Sequence, residues 1–349
     1  MGVYRLEAAC KDYLWGGENL KSRYHIPYSG TPLAEAWMLS CHKDGESLLL
    51  AEKSLLDGEK ESLSLFLARH PEALGTKGKE FSHFPMLIKL IDAKLPLSVQ
   101  VHPNDEYALK YEGQLGKTEM WIILEREEGA FLYFGFKEDY SKEEIKQAIE
   151  GKYLTELLRK VPVERGDVFF IEAGTVHAIG AGILLAEVQE NSNLTYRVYD
   201  YGRKDKEGKE RELHIEKALE VMHTGSAVLI AAQDTLENVR SSIFSDKVKK
   251  REGHKLSELE RLGFCKYFAV ERLHTALTKT YKRRVEEDSF LFAMLVDGQG
   301  MISWKNTAEL QNALHSVKAE KGNGFFIPAG SGDIEFSGEG EWILSFLEQ

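Results

Sequence analysis

Cysteine is scarce in this chain: Cys10, Cys41 and Cys265 are the only three in 349 residues. They are far apart and form no C-x-x-C pair. So odd and sparse a set points to a reducing compartment and to buried free thiols. Long apolar runs are also missing. Nothing approaches the ~18–20 apolar residues of a membrane span, and "AVLIAA" (residues 227–232) has only the length of a buried strand. The N-terminal "MGVYRLEAACKDYLWGG" has no apolar core of a secretory signal. A cytoplasmic protein without membrane contact is expected. Basic charge is in deficit, with a formal net charge of −11. That argues against non-specific binding to nucleic acid or anionic lipid, both of which need a basic surface. An anionic small molecule would need a local cluster of Lys or Arg.

What is present is an ordinary globular balance, 43% apolar and 29% charged, arranged mostly as short β-like runs. "AEAWMLS", "ESLLLAE", "PMLIKLI", "LSVQV", "EMWIILE", "AFLYFGF", "DVFFIEA" and "ILLAEVQE" fill most of the first 190 residues, separated by Gly, Pro and charged turns. Three segments have helical spacing: "LSLFLARHPEAL", "SKEEIKQAIEGKYLTELLRK" (Ser141 to Lys160, with Ser141 and Glu144 in capping-box spacing) and "ELHIEKALEVM" (Glu212 to Met222). After residue 226 strand-like runs return: "FCKYFAVERL", "SFLFAMLVDGQG", "GFFIPAG" and "WILSFL". The expected organisation is a domain over residues 1–226 carrying the helices and a second β domain over 227–349.

An internal repeat supports two β modules on one plan. "GDVFFIEAGTVH" (Gly166 to His177) and "GNGFFIPAGSGD" (Gly322 to Asp333) share Gly, Phe-Phe-Ile and Ala-Gly at equal offsets. The first copy ends in His177 and the second in Asp333. Their spacing resembles the second signature of the cupin fold, a small jelly-roll β-barrel. The fold class expected is therefore mainly β: two cupin-type (jelly-roll) β-barrel modules, with a few helices inserted in or beside the first. The first module is the one equipped for a metal; in the second, the counterpart of Glu119 is expected near Asp288 or Ser289.

"LPLSVQVHPND" (Leu95 to Asp105) reads as a strand that puts Ser98, Gln100 and His102 on one face before Pro103 stops it. Glu119 opens "EMWIILE" and His177 closes the repeat. Two imidazoles, a carboxylate and an amide oxygen suit Zn²⁺, and also Fe²⁺, Mn²⁺ or Co²⁺. The remaining histidines read as surface or core residues. Lys89 sits within the apolar "LIKLI", where it is costly unless it pairs, faces a pocket, or lies on an edge strand in solvent.

"PLSVQVHPND", "GKTEMW" and "HAIGAGILLAEVQENSNLTYRVYDYGR" together resemble the type I phosphomannose isomerases in their shorter bacterial form, with further agreement in "DYLWGG" and "PLAEAWMLS". The resemblance implies one zinc ion per chain, held by Gln100, His102, Glu119 and His177. It also implies a catalytic Arg197, with Glu187 and Lys117 as acid–base candidates. Glu187 can act as base or only orient Arg197; Lys117 can pass a proton or only neutralise Glu119. Ser98 and Arg203 are implied in phosphate binding, and Trp15 borders the pocket. The large helical insertion of longer members is absent or reduced. The implied reaction interconverts mannose 6-phosphate and fructose 6-phosphate through a cis-enediol(ate). That needs a base for a carbon-bound proton and a cation for the developing oxyanion. A cupin metal-dependent oxygenase and a non-catalytic sugar-phosphate-binding cupin are the alternatives. The resemblance leaves the oligomeric state open.

Overall fold

The computed structural model describes residues 2–50, 60–204, 208–226, 258–305 and 313–348; the run at residues 227–232 lies outside them. The chain is mainly β and divides into two compact units. One comprises Ala8–Ser47 and Pro85–Leu229; the other comprises Met1–Glu7, Leu48–Phe84 and Ile230–Gln349. No helix among the described residues is long and apolar enough to cross a membrane. None of the three cysteines is in a disulfide, and each is partly buried.

The first unit is built of two large antiparallel sheets, a two-stranded ribbon of Cys41–His42 and Gly45–Glu46, and a helical layer. A six-stranded sheet runs in the order Val168–Ile171, Glu119–Arg126, Ile183–Glu190, Met86–Ala93, Glu35–Leu39, Ala9–Lys11. A five-stranded sheet runs Leu158–Pro162, Phe131–Phe136, His177–Ile179, Val99–Val101, Tyr196–Tyr199. Neither sheet's strand order closes on itself. The facing sides share a core of Trp121, Ile123, Leu185 and Ile91 from one sheet and Leu132, Phe134 and Ile179 from the other. On the far side of the five-stranded sheet, Val99, Val101 and Val198 pack on Ile145, Ile149, Ala218 and Leu219 of the helices. Strand alternation thus commits the valines of "SVQVH" to the helices and leaves Ser98, Gln100 and His102 for the space between the sheets.

The helix Lys142–Glu150 starts where the capping box predicts: Ser141 Oγ accepts from the Glu144 amide and Glu144 returns a bond to the Ser141 amide at 2.8 Å. The helical segment stops earlier than the expected Lys160. Gly151–Tyr153 interrupts it, a single turn follows at Leu154–Leu157, and Leu158–Pro162 is a strand paired with Phe131–Phe136. An available sheet edge outweighs helical spacing there. In the other helix-like segment, helix Leu63–Arg69 gives way to a short 3-10 turn at Pro71–Leu74.

The second unit is a ten-stranded antiparallel sheet centred on two 15-residue strands, Leu291–Lys305 and Gly332–Phe346. A bulge between Leu295 and Asp297 interrupts their register, and Phe325, Phe336 and Trp342 pack in the core the sheet encloses. Tyr4–Glu7 pairs with both Gly324–Ile327 and Leu48–Leu50, so the first strand of the chain belongs to this unit.

The repeat is structural. Gly166 and Gly322 both have φ +90°, and Gly174 and Gly330 have φ +92° and +73°, at matching offsets. In the first copy the Gly174 amide donates to the His102 carbonyl at 2.8 Å, tying the turn to the end of the Ser98–His102 segment. A methyl at Gly174 would meet the His223 ring at 2.7 Å. We expect Gly174→Ala to lower stability by about 1–3 kcal/mol and to loosen metal retention. Chemical denaturation and metal analysis of the same sample check this; a variant as stable as the parent refutes it.

Candidate metal centre and active-site cavity

The strand Val99–Val101 ends short of Pro103, and Asn104 caps the helix that follows. Asn104 Oδ1 accepts from the Tyr107 amide at 3.0 Å and caps Asp105–Tyr111. The chain then returns through Gly116, where a side chain would meet the Asn104 backbone at 2.5 Å. Only glycine lets "GKTE" pass so close, and Lys117 N donates to the Pro103 carbonyl at 3.0 Å. This brings Glu119 beside His102.

His102, Glu119 and His177 converge, with their ligand atoms within 4.8 Å of one another and all three buried. His177 Nε2 lies 3.2 Å from Glu119 Oε1 and His102 Nε2 lies 3.6 Å from Oε2. Each ring is fixed through its other nitrogen: His102 Nδ1 faces the Leu194 carbonyl and His177 Nδ1 the Thr175 carbonyl, both at 2.9 Å. Those contacts assign the proton to Nδ1 and leave Nε2 with a lone pair aimed at the cluster. Burial lowers the basicity of both rings, His177 to about 4 and His102 well below its ordinary value, so both are neutral at pH 7. His102 Nε2 is buried without a hydrogen bond among the described residues, and so is Glu119 Oε1, which faces His177 Nε2. Orphaned atoms of this kind are costly unless something binds them. Two imidazoles and a carboxylate fit a borderline divalent cation. Gln100 lies opposite His177 in the sheet, its amide nitrogen 3.4 Å from His177 Nε2. A half-turn of the amide presents its oxygen at that point.

Around the cluster is a buried charge network. Lys117 Nζ is 3.0 Å from Glu119 and 3.8 Å from Glu187; Lys89 Nζ is 2.9 Å from Glu187 and 3.9 Å from Glu35. Trp121 Nε1 donates to Glu187 at 3.0 Å and Trp37 Nε1 to Glu35 at 2.7 Å. Burial pushes the Glu187 carboxyl up, but Lys117 and Lys89 outweigh it and hold the group well below the usual carboxylate range. Burial raises the Glu119 carboxyl; Lys117 opposes that and Glu187 adds to it, for a net rise. Lys89 is on a central strand and 3% exposed, so the solvent-facing alternative does not apply. Glu187 contacts the lysines and Trp121, whereas Arg197 Nη1 donates to the Glu212 carbonyl at 3.0 Å.

A cavity of about 250 Å³ opens above this network. Its wall includes Trp15, Ser98, Gln100, Lys117, Glu187 and Arg197, which the sequence singles out. It also includes Glu35, Asn193 and Arg211, which the sequence reading passed over. Arg197 is paired with Gln100 across the sheet, which puts it next to the His102, Glu119 and His177 cluster. Arg203 is not in the wall; it is tied to Asp200 and the Pro96 carbonyl. Arg211 stands in a charged loop with no local signal, and only its arrival at the cavity marks it.

Comparison with known proteins places the chain among phosphomannose isomerases. Residues 3–131 match the family described as phosphomannose isomerase type I, catalytic domain, and residues 259–347 match mannose-6-phosphate isomerase, cupin domain. The mannose-6-phosphate isomerase ManA of Bacillus subtilis is 36% identical over 340 residues, covering 97% of this chain and 96% of its own. The Streptococcus mutans mannose-6-phosphate isomerase is 40% identical over 220 residues, 63% of this chain and 67% of its own. The crystal structure of the Bacillus subtilis mannose 6-phosphate isomerase superposes with a TM-score of 0.80 at 28% identity, over 99% of both chains. A zinc-bound mannose 6-phosphate isomerase shares the fold at TM-score 0.73 and 17% identity, over the full length of both chains.

Strand register identifies what the second repeat has at each ligand position. Ile171 faces Glu119 and the equivalent Ile327 faces Leu291, so Glu119 corresponds to Leu291 and not to Asp288 or Ser289. His177 faces Gln100 and Asp333 faces Arg284. Glu286 then stands where His102 does. An exposed ion cluster, with Arg284 3.2 Å from Asp333 and 3.1 Å from Glu286, replaces the buried ligands. We expect Asp333→His to add no metal: elemental analysis should give the same stoichiometry as the parent, and a second tightly bound equivalent would contradict the register argument.

Proposed function

The chain belongs to the type I phosphomannose isomerase family, and we propose that His102, Glu119, His177 and Gln100 hold one zinc ion at the floor of its cavity. The enzyme interconverts D-mannose 6-phosphate and D-fructose 6-phosphate. The observation that carries the metal assignment is the convergence of three buried ligand groups, His102 Nε2, His177 Nε2 and the Glu119 carboxylate, with no hydrogen bond to His102 Nε2 among the described residues. When bound, zinc supplies a Lewis acid for the sugar oxygens. The named relatives support this reading and not the oxygenase one.

The chain's own groups handle the proton. Glu187 is ionised in essentially every molecule at pH 7, because two lysines and an indole N–H stabilise its charge. It is therefore always available to accept the carbon-bound proton, at some cost in basicity. Lys117, between Glu119 and Glu187, is placed to return or relay that proton. Arg197, permanently charged and beside Gln100, stabilises the negative charge that develops on the enediolate oxygens. Ser98 and Trp15, both in the cavity wall, and Arg203, through Asp200, shape the space for the phosphosugar.

A coupled isomerase assay on metal-stripped and zinc-reloaded protein tests the assignment. Activity should vanish on stripping and return with zinc; full turnover by metal-free protein would sink it. Arg197→Ala should keep zinc and fold while kcat drops about 100- to 1,000-fold. Loss of zinc in that variant would make Arg197 structural. Glu187→Gln should cost about 100- to 10,000-fold in kcat, and near-parental kcat would remove Glu187 from the proton path.

A further inference from the structure

Four cations line the cavity: Lys89, Lys117, Arg197 and Arg211. The two lysines are committed to buried carboxylates at the floor, and Arg197 stands beside the metal cluster. Arg211 differs. Its side chain is one-third exposed, and Tyr13, itself exposed, shares this part of the wall with Asn193. Nε donates to Asp200 Oδ2 at 2.8 Å and Nη2 to Oδ1 at 2.6 Å. This two-point bond fixes the plane of the guanidinium along one edge. Asp200 also accepts from Arg203 Nε at 3.1 Å, and Arg203 Nη1 donates to the Pro96 carbonyl at 2.5 Å. One buried carboxylate therefore anchors two guanidiniums, and the group keeps a net charge of about +1.

A hexose 6-phosphate whose C1–C2 end lies over Gln100, Lys117 and Glu187 must direct its phosphate away from the floor. Among the described residues, the wall cation not committed to the floor or to the enediolate is Arg211. On a chain of net charge −11, a phosphate dianion needs a locally focused positive field. Asp200 supplies rigidity without cancelling that field, because its single charge is shared between two arginines. We infer that Arg211, held in place by Asp200, is the phosphate anchor that selects phosphorylated over free sugar. Arg203 is a positioning residue that acts through the same carboxylate.

The identity of the sugar rests on the isomerase reading; the anion site does not. Calorimetry with inorganic phosphate, alongside kinetics with mannose 6-phosphate and unphosphorylated mannose, is run on zinc-loaded parent, Arg211→Ala and Arg211→Lys. Arg211→Ala should weaken phosphate binding and raise KM for mannose 6-phosphate, each by about 10- to 100-fold, with a much smaller change in kcat. Its preference for phosphorylated over free mannose should fall by a similar factor, and Arg211→Lys should recover part of both. If Arg211→Ala does not fold, Arg211→Gln carries the same test, since it removes the charge and keeps an amide donor for Asp200. Unchanged phosphate affinity and KM in a folded variant would overturn the inference, as would a loss confined to kcat. Phosphate binding that depends on Arg211 in a parent without isomerase activity would uphold the anion site and refute the isomerase reading.

Discussion

Five charged side chains, Glu35, Lys89, Lys117, Glu119 and Glu187, are buried between the two sheets of the first unit, and the cost of removing them from water governs the arrangement around them. An isolated buried charge is prohibitively unfavourable, so each is held by an opposite charge, an indole N–H or both. Lys89 reaches Glu187 and Glu35; Lys117 reaches Glu119 and Glu187. With all three carboxylates ionised, as a cation bound by Glu119 requires, they exceed the two ammonium groups by one negative charge. That excess sits beside two neutral imidazoles with free lone pairs, which is the electrostatic environment a divalent cation completes.

The same burial separates roles among chemically similar groups. Glu187 and Glu119 share Lys117, yet Glu187 is held ionised by a second lysine and by Trp121, whereas Glu119 is raised by burial and by Glu187. Two carboxylates that share one lysine thus differ in basicity. The arginines divide likewise. Arg197 has a neutral carbonyl as its partner and keeps its full charge near the cluster, while Arg203 and Arg211 share Asp200. Arg197 is less basic than usual because it is buried and because Arg211 is nearby. Two guanidiniums on one cavity wall raise the local positive potential of a chain whose net charge is −11.

The second unit repeats the turn geometry, and at the positions matching the ligands it has none of the ligand residues. Register puts Leu291, Arg284, Glu286 and Asp333 at the ligand positions, so a surface ion cluster and an apolar strand occupy them. Glycines with positive φ at matched offsets preserve the turn, because that conformation depends on the backbone and is indifferent to which side chain ends it.

The sequence by itself determined the local patterns. Alternation in "SVQVH" committed Ser98, Gln100 and His102 to one face, the glycines of the repeat set its turns, and Ser141 and Glu144 began a helix, because each depends on neighbours within a few residues. Motif resemblance extended this to Glu119, His177, Glu187 and Arg197. Only the tertiary structure decided which charges neutralise one another. It turned Leu158–Pro162 from helix to strand by offering a sheet edge, buried Lys89 between two carboxylates, moved the counterpart of Glu119 to Leu291, and brought Arg211 from an undistinguished charged loop to the cavity wall. The physical reason is that burial and pairing are properties of strands and loops far apart in the chain, and no local pattern encodes which of them meet.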